Sequence, residues 1–469
     1  MISHKVVVLG GGVAGLSSAL LLARAGHSVL VLERDPFPLG EATSSPQWPR
    51  KGIPHFLQPH AFMPCGRQVL RDRLPDVYKA LLDAGAQEVD MRRKLPGATK
   101  PEDADLQYLA VRRPLIEWAL RRAIASEPLI EVRSGAEVSG LHLEGRRVTG
   151  VAINGTEVPA TLVVDALGRR MRTAEWLAQQ GIKEAPFESS DCGVIYYSRY
   201  YRLQDDFELP DGPWLLGPRG DLGYMGYSTF PGDNRTFAAL LAVPPGRSSS
   251  RALKEAVVFE AVMAEIPVMR QWVNPEGIVP ITDVLTMAGL RNTLRGFPYD
   301  SVSGLFPVGD SICHSDPVLA LGLSFALLQS VELADAIDKQ PDLDESAAAY
   351  RERTEPLIRE RFDYATQLDD QRLRMWNGEP VEFTSKDGAN ALFSIVAGGV
   401  AALEDPDVFR VIARRNGLLD SLHVLDDDHV MQSRIEEIFQ ATAAAPKSPS
   451  GPTRDEMEAI VEHAITGVD

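Results

Sequence analysis

Gly10, Gly12 and Gly15 lie between an apolar, β-branched run, Lys5-Val6-Val7-Val8-Leu9, and a leucine- and alanine-rich stretch, Leu16 to Ala25. The run reads as a buried parallel strand and the stretch as a helix, ended by Gly26. Ser28-Val29-Leu30-Val31-Leu32-Glu33 returns as a second strand, so a G-x-G-x-x-G turn sits inside one βαβ unit. The chemistry such a turn supports is pyrophosphate binding. Gly10 makes the tight turn, Gly12 lets backbone N–H groups approach, and Gly15 lets helix and strand pack closely. Val13 and Ala14 open a helix whose N-terminus carries partial positive charge. Glu33, followed by Arg34, closes the second strand 18 residues beyond Gly15, where an acidic side chain holds ribose hydroxyls. The spacing predicts a bound dinucleotide and does not choose between FAD and NAD.

Later segments bear on that choice. Leu162-Val163-Val164-Asp165-Ala166-Leu167-Gly168-Arg169 resembles the strand-end D-A-x-G-R motif of the flavoprotein monooxygenases of the p-hydroxybenzoate hydroxylase class. Phe306-Pro307-Val308-Gly309-Asp310-Ser311 is similar to their GD motif, whose aspartate binds FAD ribityl hydroxyls. Pro317 and Gly322 match residues of the P-x-x-G-x-G loop at the flavin ring. Arg50-Lys51-Gly52-Ile53-Pro54-His55 with His60 resembles the R-x-G-x-P-Q…H loop of flavin epoxidases. Val111-Arg112-Arg113-Pro114-Leu115-Ile116-Glu117 is similar to their S-R-x-x-L-E segment, whose arginine contacts FAD. Trp176-Leu177 and Tyr197-Ser198-Arg199-Tyr200 also resemble the polyether-type epoxidase and natural-product tailoring branch. The resemblance implies a cofactor set of Gly10, Gly12, Val13, Ala14, Gly15, Glu33, Arg34, Arg50, Arg113, Val138, Asp165, Gly168, Gly309, Asp310, Pro317 and Gly322.

It also implies an activity: transfer of one oxygen atom of O2, through a flavin C4a-hydroperoxide, to an electron-rich alkene or aromatic small molecule. NAD(P)H would supply electrons directly or through a separate flavin reductase. Epoxidation and hydroxylation both stay open, as do a reductase of the geranylgeranyl-reductase type and a catalytically silent flavin-binding protein. One departure stands out. The flavin loop reads Asp316-Pro317-Val318-Leu319-Ala320-Leu321-Gly322, where the branch favours glycine near Leu319 or Ala320.

The residues themselves supply a physical reading beside the resemblance. A carboxylate at Asp310 can accept hydrogen bonds from polyol hydroxyls, or it can simply cap a helix. His55, His60 and His314 fall near the expected flavin ring and suit either structural hydrogen bonds or base catalysis; no catalytic residue is assigned. No H-E-x-x-H, G-x-S-x-G or G-x-x-x-x-G-K-[ST] motif occurs, which leaves zinc, serine-hydrolase and P-loop chemistry without support. None of the 6 tryptophans lies two residues from another, so the W-x-W-x-I-P motif of flavin halogenases is absent.

The elements that must position these groups form an α/β pattern. The expected architecture is a Rossmann-like FAD-binding domain with a parallel sheet, an inserted antiparallel β-sheet substrate domain and a helical C-terminal region. Residues 1–175 would form the FAD domain, with a small substrate-domain insertion at about 80–110. Residues 176–300 would form the antiparallel sheet, 301–340 the rest of the FAD domain, and 341–469 the helical region. Val194 to Leu203, Leu222 to Phe230 and Thr236 to Val243 read as strands. Glycine in the middle one suggests close approach of a ligand or another backbone. A substrate pocket is therefore expected at Tyr197, Tyr224, Met225, Gly226 and Tyr227, with ordinary sheet packing as the alternative. Arg113 to Ala125 and Gly322 to Ile337 read as helices. Arg351 to Met375, dense in both charges, reads as a solvated helix face, and Ala443 to Thr453 as a linker.

A net charge of −17 and a pI near 5.1 disfavour nucleic-acid and anionic-membrane partners. The 3 cysteines, Cys65, Cys192 and Cys313, form no C-x-x-C pair, so neither a disulfide framework nor a metal site is expected. That cysteine usage and the absence of a leader pattern point to a cytoplasmic location. Ala391 to Leu403 is too short to span a bilayer and is expected to be a buried helix.

Overall fold

The computed structural model describes residues 3–170, 172–183, 185–209, 212, 217–296, 302–340, 342–381, 391–444 and 451–466. A five-stranded parallel sheet runs in the order Leu305–Pro307, Leu162–Asp165, Lys5–Leu9, Ser28–Glu33 and Ile130–Ser134. Its central strands are covered on both faces, which explains their continuous apolar sequence. The helices Val13–Arg24, Arg113–Ala125 and Gly322–Lys339 pack on one side of this sheet. The small sheet of Val138–Glu144, Arg147–Ile153 and Thr156–Pro159 covers the other.

Parallel register brings the chemistry to one edge. Leu9 pairs with both Leu32 and Asp165, and Asp165 pairs with Pro307, so Gly10, Glu33, Asp165 and Gly309 all lie at the carboxyl ends of adjacent strands. This is where open α/β sheets bind ligands.

A six-stranded antiparallel sheet is built on Ile195–Leu203, Gly226–Pro231 and Thr236–Val243, with Arg219–Asp221, Ile278–Pro280 and Leu285–Met287 at its margins. The middle strand starts later than its sequence suggested. Leu222 to Met225 forms a turn closed by Leu222 N donating to Met225 O at 2.9 Å. Gln87–Asp90 pairs with Gln107–Ala110 as a separate two-stranded ribbon.

The C-terminal part is helical: Leu343–Trp376, Ala391–Ala401, Pro406–Asn416, His429–Ala444 and Arg454–Thr466. The second of these is buried, as its composition implied. The first departs from the expected solvated face. Arg361, Phe362, Ala365, Leu368, Asp369, Arg372 and Trp376 recur at helical spacing and are all buried, so charge density along this helix does not mean solvation. Of the expected linker, 445–450 lies outside the described residues; Pro452 and Thr453 are docked, accepting hydrogen bonds from Tyr224 Oη at 2.8 and 3.2 Å. Among the described residues, no helix is long and apolar enough to cross a membrane.

Candidate functional site

The site begins at the glycine turn. A methyl group at Gly15 would overlap the Gly10 carbonyl oxygen, so helix and strand touch there only because the residue is glycine. Gly10 itself has φ +102°, a backbone state that other residues rarely adopt. The helix Val13–Arg24 starts without a side-chain cap and without an acidic residue in its first turn. The amides of Gly12, Val13 and Ala14 therefore face outward, with no acceptor among the described residues. A methyl group at Gly12 would come to 3.7 Å from Arg113 Nη2 and 3.8 Å from Ile53 Cδ1, so the space over these amides is bounded by a guanidinium. Three amide donors, a helix N-terminus and an arginine form a cradle that fits a pyrophosphate.

Glu33 lies behind the turn. Its Oε2 accepts from Gly11 N at 2.8 Å and its Oε1 from Asp35 N at 2.8 Å. Arg50 Nη1 lies 3.1 Å from Glu33 Oε2, and Arg50 Nε lies 2.9 Å from Glu117 Oε2. Burial alone would raise the Glu33 carboxyl, but Arg50 and the two amides override it and hold it below its ordinary range. Glu33 is thus fixed by the protein behind the cradle, with half-buried Arg34 beside it. Arg50 is held by carboxylates, and it shapes the cradle from behind. The sequence did not single out Glu117, which holds Arg113, Arg121 and Arg50 together. Its signal is the four-residue spacing Arg113–Glu117 on one helix face.

Asp165 points inward rather than at a ligand. It is buried, accepts from Leu167 N at 3.0 Å and Ser311 Oγ at 3.1 Å, and is hydrogen-bonded by Thr173. Burial raises its carboxyl above the ordinary range. Ser311 Oγ in turn accepts from Gly168 N at 3.0 Å, so Asp165 ties the Gly168 turn to the Gly309–Ser311 turn. Val138 is packed in the apolar cluster beside Leu32.

Asp310 is different. The short Gly309–Ser311 turn is capped by Val308 without a side-chain bond, and Gly309 N donates to Gln329 Oε1. The half-buried Asp310 carboxylate makes no hydrogen bond or ion pair among the described residues. It caps nothing, and is free to accept from a polyol.

Beyond it, Pro317–Leu319 forms one turn of 3-10 helix and Gly322 opens the helix Gly322–Lys339, with open space where its side chain would be. Ala320 has φ +53° and ψ 28°, the left-handed conformation in which the resemblance expected glycine. Alanine thus takes here a backbone state that glycine adopts more easily. Facing the cradle, Arg113 Nη1 donates to His55 Nε2 at 2.9 Å, and His60 Nδ1 donates to the Gln58 carbonyl at 2.6 Å. Burial and the Arg113 guanidinium push His60 down to about 3 and His55 well below its ordinary value. His314 lies on the exposed side, bonded to the Arg291 carbonyl at 2.9 Å.

The antiparallel sheet presents two different faces. Gly226 pairs with Ala242 and Ser228 with Leu240, and both partners also pair with Tyr196 and Ser198. That face packs toward Val318 of the loop, and Ser198 Oγ donates to Gln58 Oε1 at 2.8 Å. Tyr197, Met225 and Tyr227 occupy the opposite face, in an apolar core with Val258, Phe259 and Met263 of the helix Ala256–Glu265. Tyr224 packs at the edge of that core under the C-terminal helix. Of the five expected pocket residues, Gly226 alone lies on the loop side.

The sheets and the helices around them have the fold of flavin-dependent enzymes of known structure. Residues 5–113 match the family of FAD dependent oxidoreductases. Protein Rv3254 of Mycobacterium tuberculosis is 25% identical over 450 residues, covering 89% of this chain and 90% of its own. Digeranylgeranylglycerophospholipid reductase 2 of Methanopyrus kandleri is 26% identical, over 80% of this chain and 88% of its own. Among solved structures, the flavin-dependent brominase Bmp2 superposes with a TM-score of 0.60 at 16% identity, covering 94% of this chain and 100% of its own. PqsL, a probable FAD-dependent monooxygenase of Pseudomonas aeruginosa, gives 0.58 at 15% identity, over 80% and 99%.

Proposed function

We propose that this chain binds FAD and acts as a monooxygenase, transferring one oxygen atom of O2 to an electron-rich alkene or aromatic small molecule, with NAD(P)H or a partner flavin reductase as electron source. The observation that carries the reading is the alignment of unpaired donors and acceptor along one edge: the Gly12–Ala14 amides with Arg113, then the free Asp310 carboxylate. That order matches pyrophosphate followed by ribityl chain. Bound FAD supplies the oxygen-activating chemistry.

The residues of the chain bind, orient and exclude water. Arg113 and the helix N-terminus hold the phosphates, Glu33 and Arg34 flank the adenosine ribose, and Asp310 accepts from the polyol. Asp165 and Gly168 keep the Gly309 turn in position, and Pro317 to Gly322 flank the ring. Tyr196, Leu240, Ala242 and Gly226 offer an apolar wall toward that loop, suited to a hydrophobic substrate and to keeping water out. His55 and His60, fixed as neutral rings with depressed basicity, are poor proton acceptors. Epoxidation, which needs no protein base, and phenol hydroxylation both fall within this reading.

The 26% identity to the Methanopyrus reductase favours one second reading, FAD-dependent reduction of an alkene. One assay separates the two: oxygen uptake, peroxide release and product formation with NAD(P)H and candidate alkenes. Oxygen incorporation into product supports the monooxygenase. Saturated product without oxygen uptake supports the reductase, and purified protein that retains FMN or no flavin after reconstitution overturns both.

A further inference from the structure

Behind the flavin loop lies a buried polar network whose charged groups the function above does not use. Arg372, on the helix Leu343–Trp376, donates from one nitrogen, Nη2, to Asp316 Oδ2 at 2.8 Å, Asp369 Oδ1 at 2.8 Å and the Cys192 carbonyl at 3.0 Å. Tyr196 Oη donates to Asp316 Oδ1 at 2.6 Å, and Val318 N to the same oxygen at 3.0 Å. Asn292 bridges the two aspartates: its Nδ2 donates to Asp369 Oδ2 at 2.7 Å, and its Oδ1 accepts from Asp316 N at 2.8 Å. Asp316 is the first residue of the loop that runs through Pro317 and Ala320 to Gly322. The network therefore joins that loop to the C-terminal helix, to the sheet strand of Tyr196 and to the strand Arg291–Arg295.

Cys192 Sγ and carboxylate oxygens of Asp316 and Asp369 lie within 4.8 Å of one another, in one tight cluster. The guanidinium already bonds both carboxylates, so the cluster is complete as an ion-pair network. Its charge does not balance, however, if both acids are ionised. Two buried carboxylates against one guanidinium leave an excess negative charge whose burial costs several kcal/mol, on the order of the penalty for an unpaired ion. The neutral state requires one proton.

We propose that Arg372 is a positioning residue for the flavin loop, acting through Asp316, and that Asp369 holds the single proton that lets this clamp stay closed. The inference rests on the FAD reading above. Asp316 has three donors and is the ionised partner. Burial would raise its carboxyl, but Arg372 overrides that and holds it low. Burial and the neighbouring Asp316 push the Asp369 carboxyl well above its ordinary range. The groups facing Asp369 are Asp316 on the loop, Arg372 on its own helix, Asn292, the Cys192 thiol and Tyr196, with Asp221 beyond Trp376. Loss of that proton in alkaline solution puts a second charge in the cluster and loosens the loop. Arg372 Cζ lies 5.3 Å from the Trp376 ring, so tryptophan emission reports the clamp without flavin.

The test is a pH titration of the full chain from 7 to 10, read as flavin absorbance in FAD-loaded protein and as tryptophan emission in flavin-free protein, for wild type, Asp369→Asn and Arg372→Met. The expected result is a step on the alkaline side in both signals for wild type and in neither for Asp369→Asn. Arg372→Met should bind FAD at least tenfold more weakly, with a neutral-pH flavin spectrum like the alkaline wild-type one. Should that variant not fold, the Asp369→Asn titration decides alone. FAD bound normally but showing no step, or a step that survives in Asp369→Asn, overturns the clamp and leaves the functional reading intact. Protein that binds no FAD overturns both.

Discussion

Arg113 donates from Nη1 to His55 Nε2 at 2.9 Å, and since a guanidinium has no acceptor, this bond fixes His55 as a neutral ring with its proton on Nδ1. Glu117 holds the Nε of the same arginine at 3.0 Å, which leaves Nη2 to face the space over Gly12. Arg113→Ala removes a side-chain cation that borders that cradle. A hydrogen bond to a charged group is worth roughly 1.5–3 kcal/mol, so FAD affinity should fall about tenfold to a hundredfold. Titration by flavin fluorescence quenching measures it, and an unchanged dissociation constant would refute the pyrophosphate assignment.

Asp310→Ala tests the other end of the cofactor. The carboxylate caps no helix and pairs with no cation, so its removal should leave the melting temperature within about 2 °C while FAD affinity drops roughly tenfold or more. A lowered melting temperature of the flavin-free protein with normal FAD affinity would assign Asp310 to the scaffold instead.

The glycine fingerprint was legible because its chemistry is local: strand, turn, helix and acid follow within one unit. The parallel sheet edge followed from the same logic, since Asp165 and Gly309 each end a strand-like apolar run. What the sequence hid was direction. Asp165 sits in a cofactor-type motif yet turns inward to Ser311 and Thr173. Arg372 sits in a charged run yet is buried against residues 56 and 180 positions away, Asp316 and Cys192. Leu222 to Phe230 reads as one strand, but a turn from Leu222 to Met225 precedes Gly226 and takes Tyr224 off the sheet. Long-range partners of this kind leave no periodic signal in one chain.

Ala320→Gly should not destabilise the protein, unlike most alanine-to-glycine changes. Ala320 occupies the left-handed region at φ +53°, where a side chain costs about 1 kcal/mol. Glycine relieves that cost while giving up about 0.4–1 kcal/mol of unfolded-chain entropy, so the two nearly cancel. Calorimetry of the flavin-free protein checks it; a loss above about 2 kcal/mol would mean that the alanine methyl packs usefully in the loop.

His60 sets a pH dependence whose sign is fixed. Its folded value is depressed to about 3 by burial and Arg113, against about 6.5 for an unfolded histidine. Between those values the unfolded chain binds the proton and the folded chain does not. The His60 contribution is therefore fully present above about pH 6.5 and is lost as pH falls toward 3. Melting temperatures of wild type and His60→Gln, measured from pH 7 to 4, should converge on the acid side. Parallel curves would show that His60 titrates normally.

Met225 and Gly226 are adjacent in sequence and face opposite sides of the antiparallel sheet, so a pair of variants locates the substrate wall. Met225 is 2% exposed in the core beneath the helix Ala256–Glu265. Met225→Glu buries a carboxylate there without a partner, a cost of several kcal/mol, and the variant should be unstable or insoluble. Met225→Leu conserves volume and should cost less than about 1.5 kcal/mol, with turnover unchanged. At Gly226 a new Cβ would meet the Ala242 methyl at 3.6 Å, an ordinary contact, so Gly226→Ala should fold. Gly226→Glu extends a charged group over the face shared with Tyr196 and Leu240, toward Val318. Water drawn in by that carboxylate should divert reduced flavin to peroxide. The fraction of consumed oxygen recovered as H2O2 should rise from Gly226→Ala to Gly226→Glu on FAD-loaded protein, with flavin affinity held. Equal peroxide yields from both would move the substrate wall off this strand.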